Sequence, residues 1–202
     1  TGDLDLRQCQ RLRRIGAGLE VGGHLWIGGR AQAAFWRRPS WMFRSVSRPN
    51  SLLHSRDPVA PMKTLPEDLT VRRDLVLSSC HRLQRLPEVF EVGGALRLRG
   101  CRALVALPDN LVVHGDLELR GCDSLRSLPA NLRVYGDLFI EAAPLEALPD
   151  DLQVAGVLSL QRCRKLKTVP RFIRARGKTT GVSKVRIHPA ARGSSPSSPA
   201  WP

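Results

Sequence analysis

Five cysteines, Cys9, Cys80, Cys101, Cys122 and Cys163, are the side chains of this 202-residue chain best equipped for chemistry. A thiol acts as a nucleophile once a neighbouring base or cation favours the thiolate, as a soft metal ligand, or as half of a disulfide. Each use sets a geometric condition. A structural zinc site needs four ligands converging tetrahedrally. A disulfide needs a specific dihedral and close Cβ atoms, and an odd number of cysteines leaves one over. The carboxylates Asp116 and Glu118 would have to flank one substrate to work as acid and base.

The elements that position these residues follow from a repeat. Glycine recurs at Gly94, Gly115, Gly136 and Gly156, spacings of 21, 21 and 20. Arg73 takes the same place one period earlier, and Gly2 and Gly23 open two further units, the second of them interrupted. Leucine or isoleucine falls two and four residues after each frame position, as in Leu96 and Leu98, Leu117 and Leu119, Leu138 and Ile140. That period of two predicts a short strand with one buried face. Leu107-Pro108, Leu128-Pro129 and Leu148-Pro149 follow in each unit, and proline there excludes a long helix. All five cysteines sit seven residues after the frame position, with Ala143 in that place in one unit. A catalytic cysteine is unique, whereas this one is a column. Stacked rungs lie about 4.8 Å apart with their thiols in parallel, which does not make a tetrahedral site. The column therefore predicts a structural cysteine ladder with no metal and no cofactor. Asp116 and Glu118 alternate with buried leucines along one strand and do not form a catalytic pair.

The run Leu117-x-Leu119-x-x-Cys122-x-x-Leu125-x-x-Leu128-Pro129 resembles the leucine-rich repeat in its short, cysteine-ladder version. It looks most like the repeats of bacterial leucine-rich repeat proteins, some of which are effectors delivered into host cells. The resemblance covers residues 2 to 27 and about 61 to 176. It implies an α/β-type repeat solenoid: a concave parallel β-sheet, a short turn or extended convex side, and little regular helix. It also implies a non-enzymatic scaffold that binds another protein. Related bacterial ligases carry ubiquitin on a cysteine of a separate domain, which has no counterpart in the residues after Arg176.

With the leucines inward, the residues one, three and five after the frame position face outward. Trp26, Arg97, Arg99, Asp116, Glu118, Arg120, Asp137, Phe139 and Glu141 are the candidate binding residues on that face. It is mixed in sign and carries exposed aromatics, the composition of a protein-recognition surface.

The net charge of +14 is unevenly spread. Residues 28–60 hold six arginines and one aspartate, and 171–202 hold seven basic residues and no acid, so +12 of the +14 lies in two irregular segments. The expected organisation is repeats over 1–27, a basic insertion over 28–60, repeats over 61–176 and a disordered basic, then Ser/Pro-rich tail over 177–202. Phe35, Trp36, Trp41 and Phe43 interleave with arginines in the insertion, a combination suited to nucleic acid or an anionic membrane surface. Anionic-polymer binding through the insertion and tail is thus the alternative function. No stretch is long and apolar enough to predict a membrane span. Unpaired thiols favour a reducing compartment such as the cytoplasm; the sequence leaves oligomeric state and partner identity open.

Overall fold

Alternating leucines produce the strands, and the prolines keep the return path extended. A computed structural model describes residues 2–7, 9, 11–29 and 62–169, together with 174–175, 179–181 and 186–187. Residues 30–61, which take in all but Gly28 and Gly29 of the insertion expected over 28–60, and the remainder of the tail lie outside the described residues. In chain order the strands are β1 (Leu4–Leu6), β2 (Glu20–Val21), β3 (Leu25–Gly28), β4 (Thr70–Val71), β5 (Leu75–Ser78), β6 (Glu91–Val92), β7 (Leu96–Arg99) and β8 (Val112–Val113). They continue as β9 (Leu117–Arg120), β10 (Arg133–Val134), β11 (Leu138–Glu141), β12 (Gln153–Val154), β13 (Leu158–Gln161), β14 (Thr168–Val169), β15 (Arg174–Ala175), β16 (Thr179–Thr180) and β17 (Arg186–Ile187).

The result is a parallel β-solenoid of about six turns with a spacing near 21 residues. Its main sheet runs β1-β3-β5-β7-β9-β11-β13-β16. Register does not slip: Leu75, Leu96, Leu117, Leu138 and Leu158 are successive partners. No described residue is helical, so the expected α/β class reduces here to a β-solenoid. The return side carries two-residue strands in three smaller parallel sheets, β2-β4-β6, β8-β10-β12-β15 and β14-β17.

Between the two sides lies one continuous core. Leu96, Leu98, Leu117, Leu119, Leu104, Leu125 and Leu145 are completely buried, each stabilising the fold by about 1.5–3 kcal/mol. The insertion leaves and re-enters within one turn. Gly29 N–H still donates to the Ser78 carbonyl at 3.0 Å, and Met62 is fully buried in the column otherwise filled by Leu83, Leu104 and Leu125. Residues 30–61 therefore stand in sequence where other turns spend about three residues. At the far end, pairing continues past residue 176, with β16 alongside β13 and β17 alongside β14.

The main strands β5, β7, β9, β11 and β13 are each followed by a left-handed residue. Ser79, Gly100, Gly121, Ala142 and Arg162 have φ of 55, 66, 64, 59 and 57°. This conformation is strained for side chains other than glycine. It is held by the next turn: the N–H groups of Ser79, Gly100 and Ala142 donate to Arg99, Arg120 and Gln161 carbonyls at 2.7–2.9 Å. The residue that follows is then directed inward, and that is the cysteine position.

Candidate binding face

The thiols form a repeating bond to the previous turn. Cys101 Sγ donates to the Leu77 carbonyl at 3.5 Å and Cys122 Sγ to the Leu98 carbonyl at 3.4 Å. Cys80 and Cys163 reach the equivalent Ile27 and Ile140 carbonyls at 3.9 Å. Each acceptor is the last inward residue of the preceding strand. A small donor of sulfur's size suits that place. Cys80, Cys101 and Cys122 are buried, Cys163 is half-buried and Cys9 is exposed. The Cys80 thiol and burial together raise the Cys101 pKa. Burial raises those of Cys122 and Cys163. This shift suppresses the reactive thiolate. Among the described residues no three His, Cys, Asp or Glu side chains gather closely enough to hold a metal ion.

The aspartate column has a role that single-chain periodicity does not display. Asp3, Asp74, Asp116 and Asp137 each accept, through Oδ1, the backbone N–H of the same position one turn on: His24, Ala95, Asp137 and Val157, at 2.7–2.9 Å. The carboxylate lies over the frame glycine of that next turn. A Cβ on Gly94 would sit 2.4 Å from Asp74 Oδ1, and one on Gly136 the same distance from Asp116 Oδ1. Aspartate in one turn thus requires glycine in the next. Arg73, the one non-glycine frame residue, follows His24, which instead accepts the Asp74 N–H through Nδ1 at 3.3 Å. Asp116 and Asp137, candidate binding residues by sequence, spend one carboxylate oxygen on this cap.

The remaining outward residues join into chains of ion pairs across the strands. Arg97 pairs with Asp74 at 2.8 Å. Glu118 takes Arg99 at 3.3 Å and Arg120 at 2.9 Å. Glu141 takes Arg120 at 3.8 Å and Arg162 at 3.2 Å. At the other end Arg7, bound by Asp5, lies over the Trp26 ring at 5.2 Å from its centroid. His24 stacks on the same indole at 5.3 Å. The Arg7 contact holds the Asp5 carboxyl below its usual range and raises Arg7 correspondingly.

These arrangements bring Arg99, Glu118, Arg120 and Glu141 together and leave Trp26 in a separate cluster. Phe139 is half-buried between Glu118 and Ser159 on neighbouring strands. Four positions expected to face solvent are covered: Gly28 and Ala95 are buried, Val76, 1% exposed, lies between Trp26 and Arg97, and Ser159, 6% exposed, lies beside Phe139. Larger neighbours on adjacent strands close over small residues. Arg162 joins the ion-pair chain unforeseen by the sequence pattern, because it sits one place beyond the strand in the left-handed turn. Comparison with protein-family models, with curated proteins and with solved structures gives no match for this chain.

Proposed function

We propose that the chain is a leucine-rich repeat scaffold whose concave face is the outer surface of the main sheet, and that this face binds another protein. The observation that carries the reading is the strip Arg97, Arg99, Glu118, Arg120, Phe139 and Glu141, set at regular intervals on one rigid sheet. Long arginine arms held by carboxylates on adjacent strands lose less side-chain freedom on binding than free ones. An aromatic among them supplies buried area. A surface of alternating sign favours a partner with the complementary pattern, and selects against highly charged polymers of one sign.

The alternative is binding to nucleic acid or an anionic membrane surface through residues 28–60 and 177–202. The position of +12 of the charge in the irregular segments favours it. Salt separates the two. Capture from lysate with nuclease present, repeated at low and physiological salt, should retain discrete proteins at both salt concentrations. Loss of all captured material on raising salt or adding nuclease would transfer the function to the basic segments, since phosphate contacts weaken steeply with salt.

A further inference from the structure

One rung of the return side departs from its neighbours. The residue immediately before β4, β8, β10 and β12 is Leu69, Leu111, Leu132 and Leu152 respectively, all 6% exposed or less. Before β6, between these turns, the equivalent residue is Phe90, a larger ring that is only half-buried against the core, as Leu19 is before β2. A phenyl ring does not fit a leucine rung, and overpacking displaces the neighbouring backbone. The preceding residue departs too. Where other turns have Asp68, Asn110, Asn131 and Asp151, this one has Val89, 74% exposed. The polar chain in which Asn131 donates to Asn110 Oδ1 at 3.0 Å and to Asp151 Oδ2 at 2.8 Å has no counterpart there.

The backbone shows the consequence. Glu91 and Gly93 N–H donate to Leu69 and Val71 carbonyls, and Arg133 and Tyr135 N–H donate to Leu111 and Val113 carbonyls. Between these two ladders the equivalent bonds, from Val112 and His114 to Phe90 and Val92, are not formed, and β6 and β8 do not pair with each other. A groove of about 880 Å³ opens over this break, lined by Phe90, Val92, Pro108 and Val112. The large hydrophobics exposed among the described residues, Val89, Val105 and Val112, all belong to these two turns. Glu88, Glu91 and Asp109 also line the groove, against Arg72.

We propose that this groove docks an extended, basic peptide segment of another protein, anchored by an aliphatic or aromatic side chain beside Phe90. Three features converge on that occupant. The unpaired edges of β6 and β8 offer the donors and acceptors that strand-like peptides use. Exposed valines and the Phe90 ring give an anchor its contact area. Three carboxylates against one guanidinium select a cationic segment, although the chain as a whole is strongly basic. This surface lies on the return side, opposite the strip proposed to bind protein, and does not depend on it.

The test uses the full chain and a short fluorescein-labelled peptide alternating lysine with valine and phenylalanine, read by fluorescence anisotropy, with a glutamate version as control. Saturable binding of the lysine peptide alone is expected. Glu91→Lys should weaken it by about tenfold or more through charge repulsion. Phe90→Leu should weaken it similarly while raising the melting temperature, because the rung closes. Both variants are checked for wild-type circular dichroism. The proposal is overturned by absent binding, by equal affinity for the glutamate peptide, or by variants that bind as wild type. It is also overturned if sedimentation shows self-association that Phe90→Leu abolishes, for then a second copy fills the groove.

Discussion

Cys122 and Ala143 occupy the same place in successive turns, and only the first has a donor for the carbonyl behind it. A buried thiol bond and the sulfur's packing together account for the column. We expect Cys122→Ala to destabilise by about 1–2 kcal/mol in urea unfolding, through lost volume more than the weak bond. Ala143→Cys should be neutral or stabilising, since the turn already accommodates sulfur on either side. Under native conditions Cys9 should react with a maleimide at once and Cys163 more slowly. Cys80, Cys101 and Cys122 should react only as fast as the array opens. The Cys101 and Cys122 thiols keep protons that the unfolded chain releases above its ordinary thiol value near 9.0. Stability is therefore full below about pH 9 and falls as pH rises further. The thiol column was legible because a single residue type recurs at one offset. The caps by Asp116 and Asp137 were not, because each acceptor serves a backbone group 20 or 21 residues away and a column of acids reads equally as a solvated face.

At the scale of the element, a turn is specified by its neighbour as much as by its own residues. Gly94→Ala places a Cβ 2.4 Å from Asp74 Oδ1 and should cost about 1–3 kcal/mol. Asp74→Ala alone should cost about 1 kcal/mol for the lost cap, a typical figure for a carboxylate serving backbone N–H groups. The double variant should be less destabilised than the sum, though not fully relieved, because Arg73 C lies 2.9 Å from the same Cβ. A double-mutant cycle in urea measures that coupling. Strand positions were readable from the period-two leucines. The continuation into β16 was harder to read: Gly177 lies 21 residues after Gly156, but Thr179 replaces the leucine that elsewhere declares a strand. The break between β6 and β8 was hidden for another reason. Phe90 satisfies the hydrophobic pattern and violates only the volume of the rung.

Across the whole molecule, periodicity dictates a rigid in-register sheet and leaves its outer face to carry individuality. The ion pairs on that face add little to stability. An exposed pair contributes about 0–1 kcal/mol, so Arg162→Gln, which removes the pair between the exposed Arg162 side chain and Glu141, should barely move the melting temperature. Their value in this account lies in holding side chains for a partner. The sequence told which residues face outward, but not that most are already engaged with one another, because that depends on distances between turns. The most direct measurement compares the proteins captured at physiological salt, with nuclease, by the wild-type chain, by a Phe139→Ser/Arg120→Glu variant and by Arg133→Ser, an exposed position of the return side away from the Phe90 groove. We predict a discrete set shared by wild type and Arg133→Ser and lost from the sheet-face variant, with all three equally folded by circular dichroism. Capture of the same set by the sheet-face variant would contradict the account.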